Sequence, residues 1–260
     1  KQNENLYGLG EIVHNQDVIK ELEQLGMRFV NNIKEVKDRV VIRAHGVSKD
    51  VYRFAKEKQI DLIDYTCPKV LKIHGTVKEY ANEGYYIFLL GAKDHPENIG
   101  TLSYSKQHLS VIEQENDVSN ALEMLYKSKI EKLLLISQTT YSLEKFYIIE
   151  DRIKKELPKN IELVVKNTIC QATEIRQKET EKIAKKVDAM IVIGGKNSSN
   201  TKKLYEIAKK YCNTVCFIEN ETELELEKIK QDDKIGIMAG ASTPKESIEK
   251  VIEKLKKFSN

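Results

Sequence analysis

Long apolar runs are missing from this chain. The longest, Tyr85–Leu90 in YYIFLL, falls far short of the roughly 20 residues a membrane-spanning helix requires, so no membrane association is expected. Cysteine is scarce: Cys67, Cys170, Cys212 and Cys216 stand at unequal spacings that make no disulfide framework, which points to a reducing, cytoplasmic setting. An excess of one charge is also lacking. The 43 basic and 40 acidic residues leave +3, and Lys and Glu are interleaved in stretches such as KETEKIAKKV, the pattern of solvated helix faces. A nucleic-acid partner is therefore not expected. Neither G-x-x-x-x-G-K-[ST] nor G-x-G-x-x-G occurs, which disfavours a nucleotide triphosphatase and leaves no flavin or nicotinamide fingerprint.

What is present is a repeated unit: a short aliphatic run, a polar cluster, then an amphipathic helix. It recurs as VVIRAHGVSKDVYRFAKEK, YYIFLLGAKDHPENIGTLS, KLLLISQTTYSLEKFYIIEDRIKKEL, AMIVIGGKNSSNTKKLYEIAKKY and KIGIMAGASTPKESIEKVIEKLKK. Continuous apolar runs mark strands covered on both faces, and helical crossovers between them make the sheets parallel, hence an α/β protein. Ligands of such sheets collect beyond the carboxyl ends of the strands. His45, His95 with Glu97, Thr139 with Thr140, Ser198–Asn200 and Ser242 all occupy that slot, which suggests one shared cleft.

Cys67 in DYTCPK and Cys170 in NTICQA each stand just before a helix, after a Thr able to cap it, and Pro68 suits a first helical turn. A thiolate at a helix start is acidified and open to metal; the alternative is a small buried apolar residue. The two lie about one hundred residues apart, suggesting threefold internal repetition with one cysteine per repeat. Cys212 and Cys216 read as core residues around a strand TVCFI.

His95 and Glu97 could shuttle a proton, or could belong to a stiff turn around Pro96. His14 and His45 follow apolar runs and, taken together, favour an anion site, although each alone reads as structural. Asn197–Asn200 offers hydroxyls, amides and free N–H groups to a phosphate, beyond what plain N-capping requires, and Ser242 repeats the arrangement. His74 and His108 read as structural or surface residues.

Together, VHN at Val13–Asn15, AHGVS at Ala44–Ser48, D-x-TCP at Asp64–Pro68, HPE at His95–Glu97, QTT at Gln138–Thr140, the Cys170 region, GGKNSSN at Gly194–Asn200 and AGAS at Ala239–Ser242 resemble, in order and spacing, the 4-hydroxy-3-methylbut-2-enyl diphosphate reductase family. The likeness runs from about Tyr7 to the last helix. It implies three small parallel-sheet α/β domains (1–66, 67–166 and 167–260) in a pseudo-threefold arrangement around a central cleft. It further implies a 4Fe-4S cluster held by Cys67, Cys170 and a third cysteine upstream of Lys1, without which the printed chain is expected to be inactive. The implied reaction is reductive dehydroxylation of an allylic diphosphate with electrons from ferredoxin or flavodoxin. Glu97 would deliver protons, and His95 and Thr139 would orient the hydroxyl. His14, His45, Ser198, Ser199, Asn200 and Ser242 would hold the diphosphate. The competing readings are a zinc hydrolase using histidines, Glu97 and a cysteine, and a non-catalytic phosphometabolite-binding protein.

Overall fold

The structure, a computed structural model, describes residues 5–12, 15–105 and 108–259. It divides into two compact units, Lys1–Ile12 with Leu22–Ile169, and Val13–Glu21 with Cys170–Asn260. Among the described residues there are three sheets, all of whose strand pairings are parallel, and nine α-helices.

The first unit holds two four-stranded sheets. One is ordered β2 (Arg28–Val30), β1 (Leu6–Leu9), β3 (Arg39–Ile42) and β4 (Asp61–Asp64). Its core gathers Tyr7, Leu9, Val40 and Ile42 against Ala55 of α2 (Lys49–Lys58). The other is ordered β6 (Leu109–Ile112), β5 (Tyr86–Leu90), β7 (Lys132–Ser137) and β8 (Glu162–Val165).

All of β5 is buried, and the period-two alternation of a strand divides it between two cores. Tyr86, Phe88 and Leu90 pack with Leu122 and Leu125 of α5 (Asp117–Ser128) and Phe146 and Ile149 of α6 (Leu143–Glu156). Ile87 and Leu89 pack on the other face with Ile73 and Val77 of α3 (Pro68–Asn82). Each such buried side chain contributes about 1.5–3 kcal/mol. That two-sided burial is why YIFLL reads as one unbroken run.

The second unit repeats the logic in a three-stranded sheet ordered β10 (Thr214–Ile218), β9 (Ala189–Ile193) and β11 (Ile235–Ala239). Ala189, Ile191 and Ile193 face Val251 and Leu255 of α9 (Lys245–Ser259). Met190 and Val192 face Leu204 and Ala208 of α8 (Ser199–Tyr211) and Ala184 of α7 (Gln171–Ala184). Helix α1 (Gln16–Gln24) straddles the division between the units. No described helix is long and apolar enough to cross a membrane.

Cys212 and Cys216 are buried, as expected of core residues. His74 is buried as well, and His108 is exposed.

Candidate functional site

The densest constellation of polar groups lies in the first unit, where β5 and β7 run side by side. Parallel neighbours deliver both following loops to the same edge. The β5 loop leads into α4 (Pro96–Leu102), and His95 is its N-cap, Nδ1 accepting from the Glu97 N–H at 3.2 Å. The next residue but one, Glu97, is only 1 % exposed.

Thr139, at the head of the β7 loop, grips the Glu97 carboxyl. Its backbone N–H donates to Oε1 at 2.7 Å and its hydroxyl to Oε2 at 2.6 Å. Burial disfavours the charged form and raises the Glu97 pKa to about 7, although both Thr139 hydrogen bonds act in the opposite direction. A carboxyl poised there can hold or release a proton near neutral pH. The turn reading of His95–Glu97 thus captures only part of the motif: Pro96 does stiffen a helix start, and that start buries an acid.

His45 lies in the β3–α2 connection and meets His95 edge-on, ring centroids 5.1 Å apart. Cys67 is close in structure to this connection, since its N–H donates to the Ala44 carbonyl at 3.0 Å. His45, His95, Glu97, Thr139 and Cys67 therefore belong to one unit.

Cys67 is itself the N-cap of α3, half-buried and free, with a side chain that makes no capping hydrogen bond. Cys170 is the N-cap of α7 in the same state. The expectation that the preceding threonines cap these helices is corrected. Thr66 donates from its hydroxyl to Asp64 Oδ1 at 2.5 Å, and Thr168 donates to the Ser137 carbonyl. Both hydroxyls are spent tying the chain back to a strand end, which leaves the cap position to cysteine.

In the second unit, the loops after β9 and β11 are adjacent because those strands pair, with Ile193 opposite Ala239. Ser198 caps α8 by accepting from the Thr201 N–H at 3.3 Å. Asn200 is buried, yet neither end of its amide has a hydrogen-bond partner. Leaving such a group unsatisfied costs about 1–3 kcal/mol, which a bound anion would relieve through the amide donors. Ser199 is half-buried, and Ser242 is exposed in the turn before α9. Thr243, next to Ser242, turns inward and donates to the Ile193 carbonyl at 3.0 Å. His14 lies outside the described residues.

Two residues here were assigned no role from the sequence, although Gln138 stands in QTT. Asn98, beside Glu97, and Gln138, beside Thr139, are buried and joined amide to amide at 3.0 Å. No periodicity or spacing signals a bond between positions so far apart in the chain.

A buried acid gripped by a hydroxyl, with an imidazole at the head of the same helix, is the arrangement of an α/β enzyme that moves a proton. Comparison with known proteins specifies the class. Residues 1–256 match the family model described as LytB protein. The 4-hydroxy-3-methylbut-2-enyl diphosphate reductase of Caldanaerobacter subterraneus subsp. tengcongensis is 44% identical, over 96% of this chain and 85% of that protein. The protein of that name from Alkaliphilus oremlandii is 40% identical, over 98% and 89%. Among solved structures, that of (E)-4-hydroxy-3-methyl-but-2-enyl diphosphate reductase, described as the terminal enzyme of the non-mevalonate pathway, matches with TM-score 0.67 at 37% identity, over 99% of this chain and 90% of that one. The Plasmodium falciparum E-1-hydroxy-2-methyl-but-2-enyl-4-diphosphate reductase matches with TM-score 0.86 at 31% identity, over 98% and 79%.

The chain belongs to the LytB family of 4-hydroxy-3-methylbut-2-enyl diphosphate reductases, and is an oxidoreductase. The zinc-hydrolase and binding-protein readings are not supported. The relatives carry reductase names.

Proposed function

We propose that this protein reductively removes the hydroxyl of 4-hydroxy-3-methylbut-2-enyl diphosphate, giving isopentenyl and dimethylallyl diphosphate. Two electrons and two protons enter, the carbon–oxygen bond breaks and water leaves. The observation that carries the reading is Glu97, a buried carboxyl with a pKa of about 7, doubly hydrogen-bonded to Thr139. Protonated, Glu97 can deliver a proton to the departing hydroxyl. Thr139 and His95 are placed in this reading to orient that hydroxyl, the Thr139 hydroxyl passing between substrate and acid.

The diphosphate is assigned to His14, His45, Ser198, Ser199, Asn200 and Ser242. What supports this is the unpartnered Asn200 amide at the start of α8, where free N–H groups favour negative charge. The division into domains 1–66, 67–166 and 167–260 belongs to the same reading, and each of the three sheets falls within one of those segments.

The thiols of Cys67 and Cys170 fit an iron–sulfur group, being free, half-buried and placed at helix starts with no capping hydrogen bond of their own. They would ligate a 4Fe-4S cluster, with a third cysteine expected upstream of Lys1. When bound, such a cluster supplies electrons and Lewis acidity to the substrate hydroxyl. Ferredoxin or flavodoxin in the cytoplasm would supply the electrons.

The test is anaerobic reconstitution of the full-length protein with iron and sulfide, followed by turnover of the allylic diphosphate with a chemical reductant. Water release with formation of both diphosphate products is expected, together with loss of iron from Cys67→Ser and Cys170→Ser. Zinc retention without iron, or diphosphate binding without turnover, would overturn the reading.

A further inference from the structure

The pairing of Glu97 with Thr139 joins two different loops, and its geometry depends on what holds those loops together. Gln138 begins the connection by donating its N–H to the Leu90 carbonyl at 2.8 Å, extending the ladder between β5 and β7 by one step. Beyond that step the bridge passes to side chains. The Asn98 amide donates to the Ala92 carbonyl at 2.7 Å and to Gln138 Oε1 at 3.0 Å. The same Gln138 oxygen accepts the Ala92 N–H at 3.3 Å, while Gln138 Nε2 donates to the Thr140 hydroxyl at 2.8 Å.

Asn98 is fully buried and Gln138 nearly so, which leaves water little access to replace these bonds. The space around them is closed as well. A Cβ on Gly91 would lie 2.3 Å from Asn98 Nδ2 and 2.8 Å from Gln138 Oε1, so the absence of a side chain there admits the amide pair. Helix α4 places Glu97 and Asn98 side by side in its first turn, and the loop after β7 hands Thr139 and Gln138 to them in the opposite chain order. One pair is the acid and its hydroxyl; the other is amide to amide.

We infer that Asn98 is a positioning residue: by bridging Ala92 and Gln138 it fixes the separation across which Thr139 donates both hydrogen bonds to Glu97. The inference rests on the reading of Glu97 as the proton donor. Hydrogen bonds of 2.6 and 2.7 Å lose most of their strength when the partners shift by about 1 Å, and a misplacement of that size can cost about a hundredfold in rate. The titratable rings nearby are His95, at the head of the same helix, and His45, packed against His95. No charged neighbour is among the causes of the Glu97 shift, so the Thr139 bonds are what the bridge controls.

Two variants of the full-length enzyme test this. Asn98→Leu is close in size and removes the amide, whereas Gly91→Ala keeps the amide and displaces it. Both are expected to lower kcat about tenfold or more while KM changes less than about twofold, since Glu97 acts in bond breaking and the diphosphate contacts lie elsewhere. A second readout is independent of turnover: the Thr139 backbone amide resonance followed against pH. In the unaltered protein it should titrate with Glu97, at a midpoint near the acid's pKa of about 7. In both variants the midpoint should move upward and the amplitude shrink, because the lost bonds stabilise the carboxylate.

If both variants leave kcat and the Thr139 titration unchanged and only lower the melting temperature, Asn98 is merely a core filler and the inference is wrong. Should one variant fail to fold, the other gives the answer alone. A Thr139 resonance that ignores pH in the unaltered protein would instead refute the Glu97 reading itself, and the inference with it.

Discussion

The carboxyl edge of the β5–β7 sheet and that of the β9–β11 sheet solve opposite problems with the same architecture. At the first, the Glu97 carboxyl accepts two protein hydrogen bonds, the Gln138 amide is occupied at both ends and the Asn98 amide nitrogen is occupied while its oxygen is not, so most of the acid's immediate surroundings are preassembled. At the second, the Asn200 amide is buried with no partner at either end. Preassembly suits a proton donor, because its work depends on fixed distances and a tuned pKa. An unfilled amide suits a ligand whose arrival completes the hydrogen bonding. Under the proposed function, chemistry and binding are allotted to different loops.

The sharpest way to break this comparison is kinetic. Glu97→Gln keeps the shape and removes the proton, and is expected to lower kcat about 10²–10⁴-fold with KM little changed, measured by steady-state turnover. Asn200→Leu should do the reverse. Losing hydrogen bonds to a charged diphosphate, worth about 1.5–3 kcal/mol each, raises KM roughly 10- to 100-fold while kcat is largely retained. Equal losses of kcat in both variants would erase the division of labour.

Stability against pH sharpens the contrast further. Glu97 holds its proton to about pH 7 in the folded protein, above the usual value of 4.5, so its contribution is complete below pH 4.5 and lost as pH rises to 7. The loss amounts to about 3 kcal/mol by pH 8, and Glu97→Gln should flatten this part of the profile in denaturant titrations at pH 5 and 8. His74 gives the opposite slope. Burial lowers its pKa to about 4 from 6.5, so its contribution is present above pH 6.5 and lost as pH falls to 4. His74→Phe, which can keep the stacking on Tyr104, should reduce the acid-side decline seen in thermal melts between pH 6.5 and 4.

Much of this was legible in the chain. Runs such as YIFLL and AMIVI announce strands buried on both faces, and each proved to divide its side chains between two cores. His95, Glu97 and Thr139 could be named because they follow such runs directly. The threonines before the cysteines misled, since a hydroxyl two or three residues past a strand end can cap the next helix or bond back to the sheet, and local sequence does not choose between them. Gln138 was legible only as part of QTT and Asn98 not at all, and their bond gave no signal because it spans 40 positions in the sequence.

The sequence by itself determined the parallel α/β class, the loops that carry polar groups, and the family, because periodicity and motif order are local properties. Only the tertiary structure decided that Glu97 is buried against Thr139 with its pKa near 7, and that an amide bridge stands behind the pair. Proton affinity and hydrogen-bond partnership depend on which distant segments exclude water together, and that is settled when β5 and β7 come to lie side by side.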